Sequence, residues 1–294
     1  MIIKQQIVGL LKGVVRRFNF AIPVTRNHVR FLIPLIRQMG TQNIRKTEPW
    51  MTDLLSKLLP DLQDQIFVDI GANLGQTLLK VKSVSSRVDY YGFEPNPACC
   101  YYLEQLIAVN RFDKTLVFPV AIAEEIGVAT LYIHHSNDTA GSSASLLKDF
   151  KNEEISFQKM IPVFNLTYFS DHYFDGRPVG VLKMDVEGAE LETLKGSKET
   201  IASDLPIIIC ELLPPINEVV KTETLEKKRQ IQQLLEVLDY RMYKIVKEPM
   251  GTIAGIRELF DLAGETVRSN GWDYLFVPNA KTGYIERKLK QVDE

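Results

Sequence analysis

Three short runs in this chain place acids and glycines where a ligand could be held. Phe67-Val-Asp-Ile-Gly-Ala-Asn-Leu-Gly75 follows an apolar stretch and precedes a helical pattern. A strand that ends near Asp69 and then turns through Gly71, Asn73 and Gly75 brings bare backbone against a ligand, because glycine allows the turn and the close approach. Asn73 suits the same turn, since asparagine is one of the few other residues that visits positive φ. The glycine spacing differs from the G-x-G-x-x-G of dinucleotide enzymes, which argues against NAD. In Tyr90-Tyr-Gly-Phe-Glu-Pro-Asn96, Glu94 ends a second strand, where an acid can accept hydrogen bonds from both hydroxyls of a ribose. Pro95 stops that strand, and Asn96 is suited to cap the next helix. Val181-Leu-Lys-Met-Asp-Val-Glu-Gly-Ala-Glu190 is a later strand ending in Asp185, and Glu211 ends another after Ile207-Ile-Ile209. Glu187 and Glu190 fit the first turn of a helix electrostatically. Two close carboxylates raise one pKa and share a proton or a divalent cation, so Asp185 and Glu211 are the candidate catalytic pair. His134, His135 and His172 are the alternative bases.

The elements that must position these residues alternate. Strands are expected near 65–70, 88–94, 115–121, 128–133, 179–185, 206–211, 240–246 and 273–278. Helices are expected near 49–59, 75–85, 97–109, 188–202 and 222–238. Such alternation predicts an α/β fold, a mostly parallel sheet covered by helices on both faces. Ligands of open α/β sheets bind at the carboxyl ends of the strands, so Asp69, Glu94 and Asp185 are expected to gather at one edge. Two long connections, 134–160 and 249–271, are candidate lids, the second around a short helix.

The quoted runs, with Thr47-Glu-Pro-Trp-Met51 and Pro206-Ile-Ile-Ile-Cys-Glu-Leu-Leu213, resemble in order the FkbM family of S-adenosylmethionine-dependent methyltransferases, over residues 47 to 213. The resemblance implies a Rossmann-like class I methyltransferase with a seven-stranded sheet, and O-methylation of a hydroxyl on a sugar, glycan or secondary metabolite. It implies S-adenosylmethionine as cofactor. Asp69 and the turn of Gly71, Asn73 and Gly75 would then take its amino-acid end, Glu94 and Asn96 the ribose, and Ala121, within Val120-Ala-Ile122, the adenine. Asp185 would stand nearest the reacting methyl. A nicotinamide oxidoreductase on a similar sheet and a non-catalytic cofactor-binding module are the competing readings.

Charge and cysteine content narrow the rest. The 294 residues carry a net charge of −2, which argues against a general nucleic-acid partner. Yet Lys4, Lys12, Arg16, Arg17, Arg26, Arg30, Arg37, Arg45 and Lys46 all precede the first acid, Glu48. Residues 1–46 are therefore read as a basic helical extension before a catalytic domain of residues 47–294. In it, Ile7, Leu10, Leu11, Val14 and Val15 form an apolar stripe that packs on the domain or lies on an anionic membrane. Three cysteines without a C-x-x-C predict neither a disulfide framework nor a zinc site, and a reducing cytoplasm as the location. Cys99, Cys100 and Cys210 are read as small buried packing. No apolar run reaches the roughly 18 to 20 residues of a membrane span. The acceptor's identity and the oligomeric state are not legible in the sequence.

Overall fold

A computed structural model describes residues 19–37, 39–134, 144–148, 155–215, 217–265 and 271–292. At its centre β3 (Ile66–Ile70) is buried at every position, as is β10 (Val179–Met184), which pairs with it in parallel. Continuous apolar runs of this kind belong to strands covered on both faces. Alternate residues feed two cores. Phe67, Val181 and Ile209 join one, and Val68, Leu182 and Ile208 join the other.

On one side of β3 lie β4 (Asp89–Phe93) and β5 (Thr115–Phe118), reached through α2 (Gln76–Val84) and α3 (Pro97–Asn110); α1 (Pro49–Leu58) precedes β3. On the other side β10 is followed by β11 (Ile207–Glu211), β14 (Asp273–Pro278), β12 (Tyr240–Lys247) and β13 (Ile253–Leu259). The strand order thus reverses between β3 and β10, and a ligand crevice opens where an α/β sheet switches direction. The α/β architecture is as expected, but among the described residues the sheet has eight strands and is mixed. β14 runs antiparallel to both β11 and β12, and β13 antiparallel to β12.

Several expectations are corrected. The stretch expected as one strand over 115–121 divides at Pro119, which lacks the N–H needed to continue the ladder. β6 (Ala121–Ile122) then enters a second, four-stranded sheet with β9 (Ile155–Phe164), β7 (Gly127–His134) and β8 (Ala144–Ser145). Most of the described part of the connection 134–160 is therefore strand; its residues 135–143 and 149–154 lie outside the described residues. The connection 249–271 holds β13 where a short helix was expected. The helix expected over 188–202 is two, α5 (Glu190–Gly196) and α6 (Lys198–Asp204). At the break a Cβ on Gly196 would lie 2.3 Å from the backbone of Ala123, so the chains meet there without room for a side chain. α4 (Leu166–Tyr173) and α7 (Glu218–Val237) cover the sheet, and α8 (Thr282–Lys288) follows β14.

The N-terminal segment differs most. The helix stripe at residues 7–15 lies outside the described residues. Residues 20–35 are not helical: β1 (Phe20–Arg26) and β2 (Val29–Leu35) form a hairpin. Its two-residue turn holds Asn27 and His28 at positive φ, the combination that matches strand twist. Phe31, Ile33 and Leu35 enter the same core as Phe67. The Asn110 side chain brackets the backbone of Leu32, accepting from its N–H and donating to its carbonyl, both at 2.7 Å.

Candidate active site

The turn after β3 is built by exclusion of side chains. Gly71 has φ +85°, and a Cβ there would lie 1.9 Å from the carbonyl oxygen of Asp185. The bare backbone thus lets the loops after β3 and β10 touch, and the Asp185 N–H donates to Ile70 at 3.1 Å. Asn73 takes φ +48°. Its N–H donates to Glu94 Oε2 at 2.8 Å, while Glu94 Oε1 accepts from the Asn96 N–H at 2.7 Å. Burial pushes the Glu94 carboxyl up to about 7, against the pull of these two N–H groups. Each oxygen keeps acceptor capacity for a hydroxyl. Glu94 lines a narrow slot of about 50 Å³, with Val120, Ala121, Ile122, Leu131 and Val186 as its apolar walls.

The slot shares Gly71, Asn73 and Asp185 with a larger cavity of about 720 Å³. Four acids line that cavity: Glu48, Asp185, Glu211 and Asp273. Lys183 sits at its floor, 3.2 Å from Asp69 Oδ1 and 3.4 Å from Asp185 Oδ2. Burial works against the Lys183 ammonium, but Asp69, Asp185 and Glu48 hold its pKa above the ordinary lysine range. Glu211 stands opposite Asp273 in the ladder of β11 and β14. Burial, with Asp185 and Asp273 beside it, pushes its carboxyl up to about 9. Asp273 is itself ion-paired with Lys247, whose ammonium lies 4.6 Å from the ring centre of Trp50. Glu48 occupies the left-handed region at φ 49° before Pro49, a conformation costly for a glutamate. Lys80, 1% exposed, binds it at 2.7 Å. Burial pushes Glu48 up, but Lys80 more than offsets this and holds the carboxyl below its usual range.

The FkbM methyltransferase domain matches residues 69–242, more than half of the chain. The chain belongs to the FkbM methyltransferase family. It is 30% identical over 158 residues to Methyltransferase sdnD of Sordaria araneosa, covering 45% of this chain and 60% of that protein. It is 21% identical over 206 residues to Methyltransferase 1 of Beauveria bassiana, covering 64% and 82% respectively. A solved FkbM methyltransferase from Methylobacillus flagellatus aligns with a TM-score of 0.44 at 16% identity, over 76% of this chain and 47% of that one. The chain thus spans less than two thirds of the length of the Sordaria and Methylobacillus relatives.

Within this FkbM chain, the predicted site residues fall into three groups. Gly71, Asn73, Glu94, Ala121 and Asp185 line the slot, and Asp185 and Glu211 line the larger cavity, as expected for one strand edge. Asp69, Gly75 and Asn96 line neither cavity. Asp69 is fully buried and accepts from the Tyr90 hydroxyl as well as pairing with Lys183, so it steadies the lysine. Gly75 opens α2 at φ +79°, where a Cβ would come within 2.9 Å of Leu103 and Leu106, so it is a packing glycine. Asn96 caps α3, accepting from the Ala98 N–H at 3.1 Å. His172 also lines neither cavity; it stacks on Tyr168. The three cysteines are buried, as read.

Among the described residues no group of three or more His, Cys, Asp or Glu is arranged to hold a metal ion, and the Lys183 ammonium supplies the positive charge beside Asp185. Asp273, Lys183, Glu48 and Lys80 were not singled out from the sequence. Asp273 begins a strand, and an acid at the start of an antiparallel strand reaches the edge where parallel strands end. That signal is readable only once the direction of β14 is known. No helix among the described residues is long and apolar enough to cross a membrane.

Proposed function

We propose that the chain uses S-adenosylmethionine to methylate a hydroxyl on a sugar, glycan or secondary metabolite. One observation carries this reading: the Glu94 carboxylate, held by the N–H groups of Asn73 and Asn96, faces an apolar slot that joins the carboxylate-lined cavity at Asp185. The residues fit the cofactor. Glu94 suits a ribose diol, the walls from Val120 to Ile122 suit an adenine, and the backbone from Gly71 to Asn73 suits the amino-acid end. The acid-rich cavity suits a sulfonium cation. When bound, S-adenosylmethionine supplies an electrophilic methyl group.

The chain's own residues do the remainder. Asp185, 40% exposed and half of an ion pair with Lys183, accepts the hydroxyl proton of the acceptor. Lys183 keeps that carboxylate oriented. Glu211, whose carboxyl burial and the neighbouring Asp185 and Asp273 push above its usual range, donates a hydrogen bond in its protonated form that orients the acceptor. Fixing the acceptor in line supplies a further part of the rate, on the order of several kcal/mol.

The test is transfer of labelled methyl from S-adenosylmethionine to a panel of sugars, glycans and hydroxylated metabolites, with the products analysed for O-methyl groups. Labelled products carrying the methyl only on nitrogen or carbon would overturn the hydroxyl acceptor. The location in the cytoplasm and a membrane contact through residues 1–46 belong to the same proposal; flotation with anionic vesicles at low and high salt tests the latter, with binding expected only at low salt.

A further inference from the structure

A second cavity lies behind the two catalytic loops. It is about 200 Å³, the share of roughly seven waters at about 30 Å³ each. Leu212, Leu213, Pro214, Val220 and Ile231 give it an apolar wall. Lys228, on α7, also lines it, is 4% exposed, and makes no hydrogen bond or ion pair with any described residue. The charges that face it are already committed. Glu190 accepts from the Gly188 N–H at 2.9 Å, Glu265 pairs with Arg257 at 2.7 Å, and the neighbouring Lys227 pairs with Glu223 at 3.2 Å. Burial lowers the Lys228 pKa, opposed by the charges of Glu265 and Glu190. The side chain is thus largely buried, while its ammonium is not among the buried polar atoms left without a partner and stays open to a ligand anion.

The cavity is tied to the active site by chain continuity. The loop that leaves Asp185 reaches it at Gly188 and Glu190, and the segment that leaves Glu211 reaches it at Leu212, whose N–H is anchored to Trp272 at 2.8 Å. Both catalytic carboxylates therefore stand one to five residues from its wall.

We infer that this cavity is a subsite for the acceptor, taking a carboxylate on an apolar body, with Lys228 as its counter-ion. The inference rests on the methyltransferase reading for the word acceptor. The apolar wall distinguishes such a group from a bare inorganic anion, and the ammonium distinguishes it from a neutral hydrocarbon.

Calorimetric titration of the full chain, in the presence of S-adenosylhomocysteine, tests this with hexanoate, hexanol, hexylamine and inorganic phosphate as probes. Hexanoate is expected to bind at least tenfold more tightly than the other three. Lys228→Met is expected to weaken hexanoate at least tenfold, to leave S-adenosylhomocysteine affinity unchanged and to raise the Tm; Lys228→Arg retains hexanoate binding. Equal affinity for hexanoate and hexanol, equal hexanoate affinity in wild type and Lys228→Met, or a lower Tm for Lys228→Met each overturn the subsite. A wild type that binds S-adenosylhomocysteine but not hexanoate overturns the subsite and leaves the methyltransferase reading standing. One that binds hexanoate but not S-adenosylhomocysteine upholds the anion site and removes the enzyme reading.

Discussion

At the scale of single residues, the site is a set of carboxylates distinguished by their surroundings. Glu94 is held by two N–H groups yet pushed up to about 7 by burial. Ribose hydroxyls donate to its ionised form, so S-adenosylmethionine affinity should rise from pH 6 to pH 8 and binding near pH 7 should release a proton. Calorimetry in buffers of different ionisation enthalpy reads that release directly; an affinity flat across the range would remove Glu94 from the contact. Asp185 and Glu211 differ in another way, since Lys183 pairs with the first and not the second. Asp185→Asn should lower kcat while changing cofactor affinity little, and the double variant with Glu211→Gln should be little worse than Asp185→Asn alone if the two act as a unit. Equal losses in kcat and cofactor affinity would put Asp185 in the cofactor shell. The sequence made Glu94, Asp185 and Glu211 legible because each ends an apolar strand. It did not show the partners of Asp69, because a side chain's direction depends on residues far away in the chain, here Lys183 and Tyr90.

At the scale of elements, the turn from Gly71 to Gly75 depends on two kinds of glycine. Gly71→Ala would drive a Cβ into the Asp185 carbonyl in addition to its positive φ, so it should destabilise by more than the roughly 1 kcal/mol that a strain-free exchange would add, and also disturb Asp185. Chemical denaturation with a turnover assay checks both; a variant with wild-type stability and turnover would mean the two loops are not in contact. The central strands β3, β4, β10 and β11 were legible from their apolar runs. The hairpin of β1 and β2 was not, because basic residues and prolines obscured its alternation and its burial comes from α3 and the core. β13 was hidden too, as an edge strand whose partner β12 lies across a turn holding Pro249 and Gly251. The hairpin's place in the core predicts that a chain lacking residues 1–46 aggregates, having exposed the surface that Phe31, Ile33 and Leu35 cover. Light scattering of the truncated protein checks this, and a monodisperse product of wild-type Tm would contradict it.

At the scale of the molecule, the sheet reverses between β3 and β10 and gathers acids at one edge, and this concentration of buried carboxyls sets a pH dependence. Glu94 and Glu190 are pushed up to about 7 and Glu211 to about 9, above their ordinary value of 4.5. The unfolded chain ionises first, so the stability these groups contribute is complete below about pH 4.5 and is lost as pH rises through their folded values. Lys82 and Lys244, held near 8 by burial, act in the opposite sense above that pH. The Tm should therefore fall between pH 5 and pH 7.5, and Glu211→Gln should flatten the slope; a Tm that rises across this window would contradict the burial described.

The central claim is that Glu94 and the turn beside it form an S-adenosylmethionine site. Equilibrium titration of wild type and Glu94→Ala with S-adenosylmethionine and with NAD tests it most directly. The account predicts that wild type binds S-adenosylmethionine and not NAD, and that Glu94→Ala weakens S-adenosylmethionine by about 1–3 kcal/mol, roughly fivefold to 150-fold. Equal affinity in the two proteins, or tighter binding of NAD than of S-adenosylmethionine, would contradict it.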